Sequence, residues 1–119
     1  MTPVALSSPS RELQTLKAEF FRALAHPVRI RLLEVLSSSG EQSVQALAQK
    51  LEIDQPIVSQ QLAKLRAHGI VTTRKEATTV NYALADPMLS ELLRVAKEIL
   101  NGRLSGAQAM LRELRRDRA

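Results

Sequence analysis

Residues Ile53 to Gly69 (IDQPIVSQQLAKLRAHG) hold a helix start signal, a two-sided middle and a stop signal in one short stretch. Few folds can be built around such a segment. Asp54 can cap the start, because its carboxylate can accept a hydrogen bond from an orphan backbone N–H. Pro56 suits a first turn, where its missing N–H costs nothing. Gly69 can adopt the left-handed conformation that ends a helix. Between them, Val58, Leu62 and Leu65 fall at i, i+4 and i+7 and form a narrow apolar stripe. Gln55, Ser59, Gln60 and Lys64 stand on the opposite side. That face is short, hydrogen-bonding and free of acids, which suits base edges and phosphates in a major groove. Ser59 has the competing option of bonding back to its own helix. Gln61 lies beside the apolar stripe and reads as a positioning residue.

The flanking segments extend the pattern. Residues 1–9 read as a flexible tail, and residues 10–119 as one domain. A first helix starts near Ser8 or Ser10 and runs to about Ala25, with Leu13, Leu16, Phe20 and Leu24 on one face. Ala25-His26-Pro27 breaks it, since the residue before a proline is pushed out of helical geometry. A second helix spans Val28 to about Ser37 with Ile30, Leu33 and Leu36 inward, and Ser37–Gly40 reads as a loop. Ser43 can cap a third helix, Val44–Leu51, so that residues 43–69 form a helix-turn-helix. After Gly69 the period changes from helical to alternating. Ile70–Lys75 and Thr79–Leu84 predict a β-hairpin, a wing over residues 70–84 with its tip at Glu76-Ala77-Thr78. Asp86-Pro87 then opens a last helix over residues 87–116. Leu89, Leu92, Leu93, Ala96, Ile99, Leu100, Leu104 and Leu111 keep one of its faces apolar, and Gly102 and Gly106 weaken it locally or mark a kink. So long a stripe exceeds what a small core needs, and the surplus predicts a partner helix, most simply from a second copy.

Composition narrows the function. The chain has 119 residues and a net charge of +5. Charge is balanced before residue 55, whereas residues 55–85 hold Lys64, Arg66, Arg74 and Lys75 against Glu76 alone. A cationic central third favours polyanionic partners. Phe20, Phe21 and Tyr82 are the only aromatics, which argues against stacking on single-stranded nucleic acid. There is no Cys, so disulfides and thiolate metal ligands are excluded within the chain. No run approaches the roughly 18 apolar residues of a membrane span. MTPVALSSPS also lacks a signal-peptide pattern, so the expected location is cytoplasmic. No nucleophile–base set or phosphate loop is recognisable, and no catalytic residue or cofactor is assigned.

The order of elements is that of a winged helix-turn-helix, α-α-α-α-β-β-α, mainly α with a small β-hairpin. At the residue level the chain resembles the ArsR/SmtB family of bacterial transcriptional repressors. The matching stretches are Phe21–Leu36 (FRALAHPVRIRLLEVL), Val58–Arg66 (VSQQLAKLR) followed by Gly69-Ile70-Val71, and the hairpin ending Tyr82-Ala83-Leu84. Leu24-Ala25-His26-Pro27 with Arg29-Ile30 is the most distinctive part. The resemblance implies a homodimer joined through its first and last helices, by Leu13, Leu16, Phe20 and the apolar face of the last helix. It also implies double-stranded operator DNA with an inverted repeat as the partner. By position, Gln55, Pro56, Ser59, Gln60 and Lys64 fall on the recognition helix, and Arg74, Lys75 and Thr78 on the wing, as DNA-binding residues.

The departures concern regulation. Ser43 and Gln45 stand where the best-known family sensors carry Cys-x-Cys. Asp86 matches one ligand of the other common metal site, but no His follows His68. No metal site is assigned, and the inducing signal is a non-metal or unknown one. An organic ligand or protein partner at the dimer interface, and a metal site using Asp/Glu and His26, stay open. His26 reads as a capping residue and His68 as a helix-end residue. Arg29 and Arg31 could meet phosphate or pair with Glu34. The alternative function is a winged helix used for protein interaction without specific DNA binding.

Overall fold

A computed structural model describes residues 9–118 of the chain, with side chains over 11–116. The tail expected over residues 1–9 lies, apart from Pro9, outside the described residues. The elements are α1 (Pro9–Leu24), α2 (Pro27–Ser39), β1 (Gln42–Ser43), α3 (Val44–Leu51), α4 (Gln55–Ala67), β2 (Val71–Glu76), β3 (Thr79–Leu84) and α5 (Met88–Arg118). They form two compact units divided after Asp86.

In the first unit, α2, α3 and α4 pack around one core beside a three-stranded antiparallel sheet of order β1-β3-β2. The predicted stripe of α4 is its seat: Val58, Leu62 and Leu65 are fully buried with Leu32, Leu33 and Leu47. Each such side chain contributes about 1.5–3 kcal/mol of transfer free energy. The sequence placed Ile30, Leu33 and Leu36 inward on α2, but Leu32 is fully buried and Ile30 only partly. The reason is that α2 packs against α3, α4 and β3 together, which calls for apolar residues around more than one face.

Side chains fix several element ends. His26 starts α2, its Nδ1 accepting from the Val28 N–H at 3.1 Å. Pro27 has no N–H, so Val28 carries the first donor available. The Ser43 hydroxyl likewise accepts from the Ala46 N–H at 3.1 Å at the start of α3. Asp54 occupies the cap position of α4 without using its side chain. One usual target of its carboxylate is missing because Pro56 has no N–H. The next, on Ile57, is already bonded to the Asp54 carbonyl at 3.1 Å. Arg29 and Arg31 each donate to a backbone carbonyl of another helix. Arg29 donates to the Ala23 carbonyl near the end of α1 at 3.0 Å, and Arg31 to the Leu51 carbonyl at the end of α3 at 3.2 Å. Cations are favoured at these negative helix ends.

Two further expectations shift. Ser37–Ser39 continue α2, with Gly40 ending it, where a loop was expected; the Ser38 hydroxyl bonds back to the Glu34 carbonyl at 3.1 Å. β1 was not anticipated. It is two residues long and exists by pairing Gln42 with Tyr82 and Ser43 with Asn81.

The second unit is α5 alone, 31 residues and so about 46 Å long. It runs unbroken through Gly102 and Gly106, with open space beside each. Its polar side is tied by Arg94, which pairs with Glu91 and Glu98 at i−3 and i+4. Ile99, Leu100, Leu104, Met110, Leu111 and Leu114 on the other side are all more than half exposed.

Candidate nucleic-acid interface

Burial of the Val58–Leu62–Leu65 stripe turns the rest of α4 outward. Gln55, Pro56, Ser59, Gln60 and Lys64 are all exposed. Gln55, Pro56 and Ser59 line one open concavity of about 350 Å³ with Val44 from the start of α3, so α4 and the helix before it share a surface. Gln61 is buried, as its place beside the stripe implied, and its Oε1 has no hydrogen-bond partner. It packs as a side chain of the core and adds nothing to the outer face. Arg66, not singled out from the sequence, is exposed two turns along from Ser59. The i, i+7 relation of these two was the available signal. The exposed Ala63 between them keeps that strip low.

His68 lies at the end of α4, with Nδ1 2.9 Å from the Lys64 carbonyl. Gly69 follows at φ +70, the left-handed turn expected of it, and leads the chain into the wing.

β2 and β3 pair in register from Val71 with Leu84 to Glu76 with Thr79. Strand alternation puts Thr73, Lys75, Val80 and Tyr82 on one face, and Thr72, Arg74, Glu76, Thr79 and Asn81 on the other. The turn is short: Ala77 and Thr78 alone join the strands, with Ala77 at φ +55. That conformation costs an L residue roughly 1–2 kcal/mol. Ala77→Gly is therefore expected to stabilise the domain by about 0.5–1 kcal/mol in urea denaturation, the relief being partly offset by the greater freedom of glycine in the unfolded chain. A loss of stability would show that the tip is unstrained.

The wing arginine is already engaged. Arg74 Nε donates to Glu41 Oε1 at 3.0 Å and Oε2 at 3.2 Å, and its Nη2 donates to Glu41 and, at 3.0 Å, to Glu76 Oε2. The hydrogen bonds from Arg74 hold the Glu41 carboxyl below its usual range, and the same bonds raise the Arg74 guanidinium. Glu41, in the link between α2 and β1, was not among the residues picked from the sequence. Lys75, on the other face, is exposed and has no ion pair among the described residues, and the same holds for Lys64. No grouping of three or more His, Cys, Asp or Glu suited to a metal occurs among the described residues. No described helix is long and apolar enough to cross a membrane.

A helix-turn-helix domain model matches residues 24–74. An uncharacterized HTH-type transcriptional regulator of Mycobacterium tuberculosis is 41% identical over 106 residues, 89% of this chain and 93% of the relative. The HTH-type transcriptional repressor SmtB of the same species is 38% identical over 91 residues, 76% of this chain and 67% of the repressor. The chain belongs to the ArsR/SmtB family of transcriptional regulators. Among solved structures, that of M. tuberculosis Rv0081 superposes with a TM-score of 0.73 at 41% identity, covering 85% of this chain and 98% of that one. A homodimeric winged helix-turn-helix DNA-binding domain from Mycobacterium bovis, described as a possible ArsR-family regulator, gives 0.75 at 26% identity, covering 84% and 92%. The winged-helix architecture read from the sequence is thus the architecture of the ArsR/SmtB family. Of the two functions weighed, these relatives carry the names of transcriptional regulators and repressors, so this family member is a DNA-binding regulator.

Proposed function

We propose that the chain represses transcription as a homodimer joined through α1 and α5, with its two α4 helices entering successive major grooves of an inverted repeat. The groove centres would lie about 34–36 Å apart. Gln55, Ser59 and Gln60 read base edges, and Pro56 lets the first turn approach the groove. Lys64 and Lys75 hold phosphates, with Thr78 at the wing tip. The observation that carries this reading is the two-sidedness of α4: its inner stripe is fully buried, and every residue assigned to DNA is exposed. The dimer is supported by the apolar faces left open on α1, at Leu13 and Leu16, and on α5, at Ile99, Leu100, Leu104 and Leu111. Phe20, Leu92 and Leu93 are half-buried and Ala96 exposed, whereas Leu89 is buried within the chain and belongs less to such an interface. The homodimeric state of the M. bovis neighbour supports the same assembly. With no Cys in the sequence, no thiolate of this chain can hold a metal inducer.

Titration of the purified protein against genomic fragments, followed by the selected duplex and a random one, tests the reading. Gln60→Ala is expected to lower the preference for the selected duplex by about 1–3 kcal/mol, and Lys75→Ala to weaken both duplexes alike while flattening the salt dependence by about one unit. Equal affinity of the wild type for both duplexes at physiological salt overturns specific repression. An unchanged preference in Gln60→Ala removes Gln60 from the readers.

A further inference from the structure

We infer that Glu41 sets the grip of the wing on the DNA backbone by keeping Arg74 occupied, so that the wing holds phosphate through Lys75 and not through Arg74. The inference rests on the DNA-binding reading of the wing. Arg74 sits between two carboxylates, bidentate to Glu41 and singly bonded to Glu76, so the three side chains together carry a net negative charge. Glu41 is well placed to hold on. It follows Gly40, which ends α2, and precedes β1, which is paired to β3, and its side chain is only one-third exposed. Geometry of this planar, bidentate kind is the strong form of the arginine–carboxylate pair.

The carboxylates hold Nε and Nη2 of Arg74, so a phosphate approaching it meets either the remaining Nη1 donors or bonds it has to displace. In both cases it approaches a cluster of net charge −1, and Glu41 and Glu76 are repelled by the backbone. A cation whose charge is already compensated condenses no phosphate and releases no counterions. Lys75 differs: alternation along β2 places it on the opposite face, exposed and without an ion pair among the described residues. The sign of the Glu41 effect follows. Neutralising Glu41 removes the bidentate partner, leaves Arg74 only its single bond to Glu76, and takes a negative charge from the wing, so binding strengthens on every sequence alike.

The test uses the full chain, with affinity measured by fluorescence anisotropy over a salt series on the duplex selected by the wild type and on a random duplex of equal length. Glu41→Gln is expected to tighten both by roughly three- to tenfold at physiological salt and to steepen the logarithmic salt slope by up to about 0.9. Arg74→Ala alone is expected to leave the slope unchanged, Lys75→Ala to reduce it by about one, and the double variant Glu41→Gln with Arg74→Ala to return to the wild-type slope. Glu41→Gln binding no tighter than wild type overturns the inference, and so does a lost slope unit in Arg74→Ala. Thermal melts accompany each variant. If Glu41→Gln proves unfolded, the Arg74→Ala slope, with Glu76→Gln as the second route to partial release, decides the matter. A wild type that does not bind duplex DNA overturns the DNA-binding reading itself, a result distinct from any of these.

Discussion

Ile99→Glu is expected to leave each chain folded, to separate the dimer into monomers, and to weaken binding to the inverted repeat by at least about 100-fold. Ile99 is 54% exposed, so the substitution disturbs little packing within the chain. Glutamate is also a good helix former, which leaves α5 itself intact. In the proposed dimer the same side chain faces the partner, and a carboxylate there is desolvated without a counterion. Binding then falls because a two-site ligand has become a one-site ligand. Linking two half-site contacts raises affinity by roughly 10²–10⁴ through effective concentration, and this factor disappears with the dimer. Sedimentation equilibrium gives the mass, and anisotropy the affinity for the full repeat and for a single half-site. The half-site affinity should be unchanged. A variant that stays dimeric and binds the full repeat as before removes Ile99, and with it this face of α5, from the interface.

Leu62→Ala is expected to destabilise the first unit by about 2–5 kcal/mol in urea denaturation, a large part of the total stability of a small domain. Leu62 is fully buried in the middle of the α4 stripe, with Val58 and Leu65 a turn to either side. Removing it leaves a cavity beneath the recognition helix, lined by other apolar side chains that cannot all collapse into it. The proposed reading face is untouched, so the folded fraction should bind DNA at near-normal affinity. The loss is therefore one of folded protein and not of recognition. A cost below about 1 kcal/mol would mean that α4 is not seated as described.

Much of the fold was legible because the signals involved are local. The stripe of α4, the break at His26-Pro27, the Ser43 cap, the left-handed Gly69 and the alternation of β2 and β3 all depend on groups within four residues of one another, and each took the predicted form. The exposed face of α4 was legible for the same reason, since fixing the buried stripe fixes its opposite. Asp54 shows the limit even here. Its cap position was readable, but the competition for the Ile57 N–H by the Asp54 carbonyl was not. The last helix was legible as one continuous element, since a propensity cost of about 1 kcal/mol at each of Gly102 and Gly106 is small against its length.

What the sequence determined by itself is the five helices and the two strands of the wing, the side of α4 that is buried and the residues that face outward from it, because periodicity and capping are written in neighbouring residues. Only the tertiary structure decided how the charges are spent. Arg29 and Arg31 close the ends of other helices, and Arg74 is held by a glutamate 33 residues away. β1 exists only because β3 passes beside it. A cation in a sequence is free to meet any anion, and the one it meets is set by which segments the core brings within about 3 Å of its donors. The exposed face of α4 is therefore a property of one helix, and the pairing of Arg74 in the wing is a property of the fold.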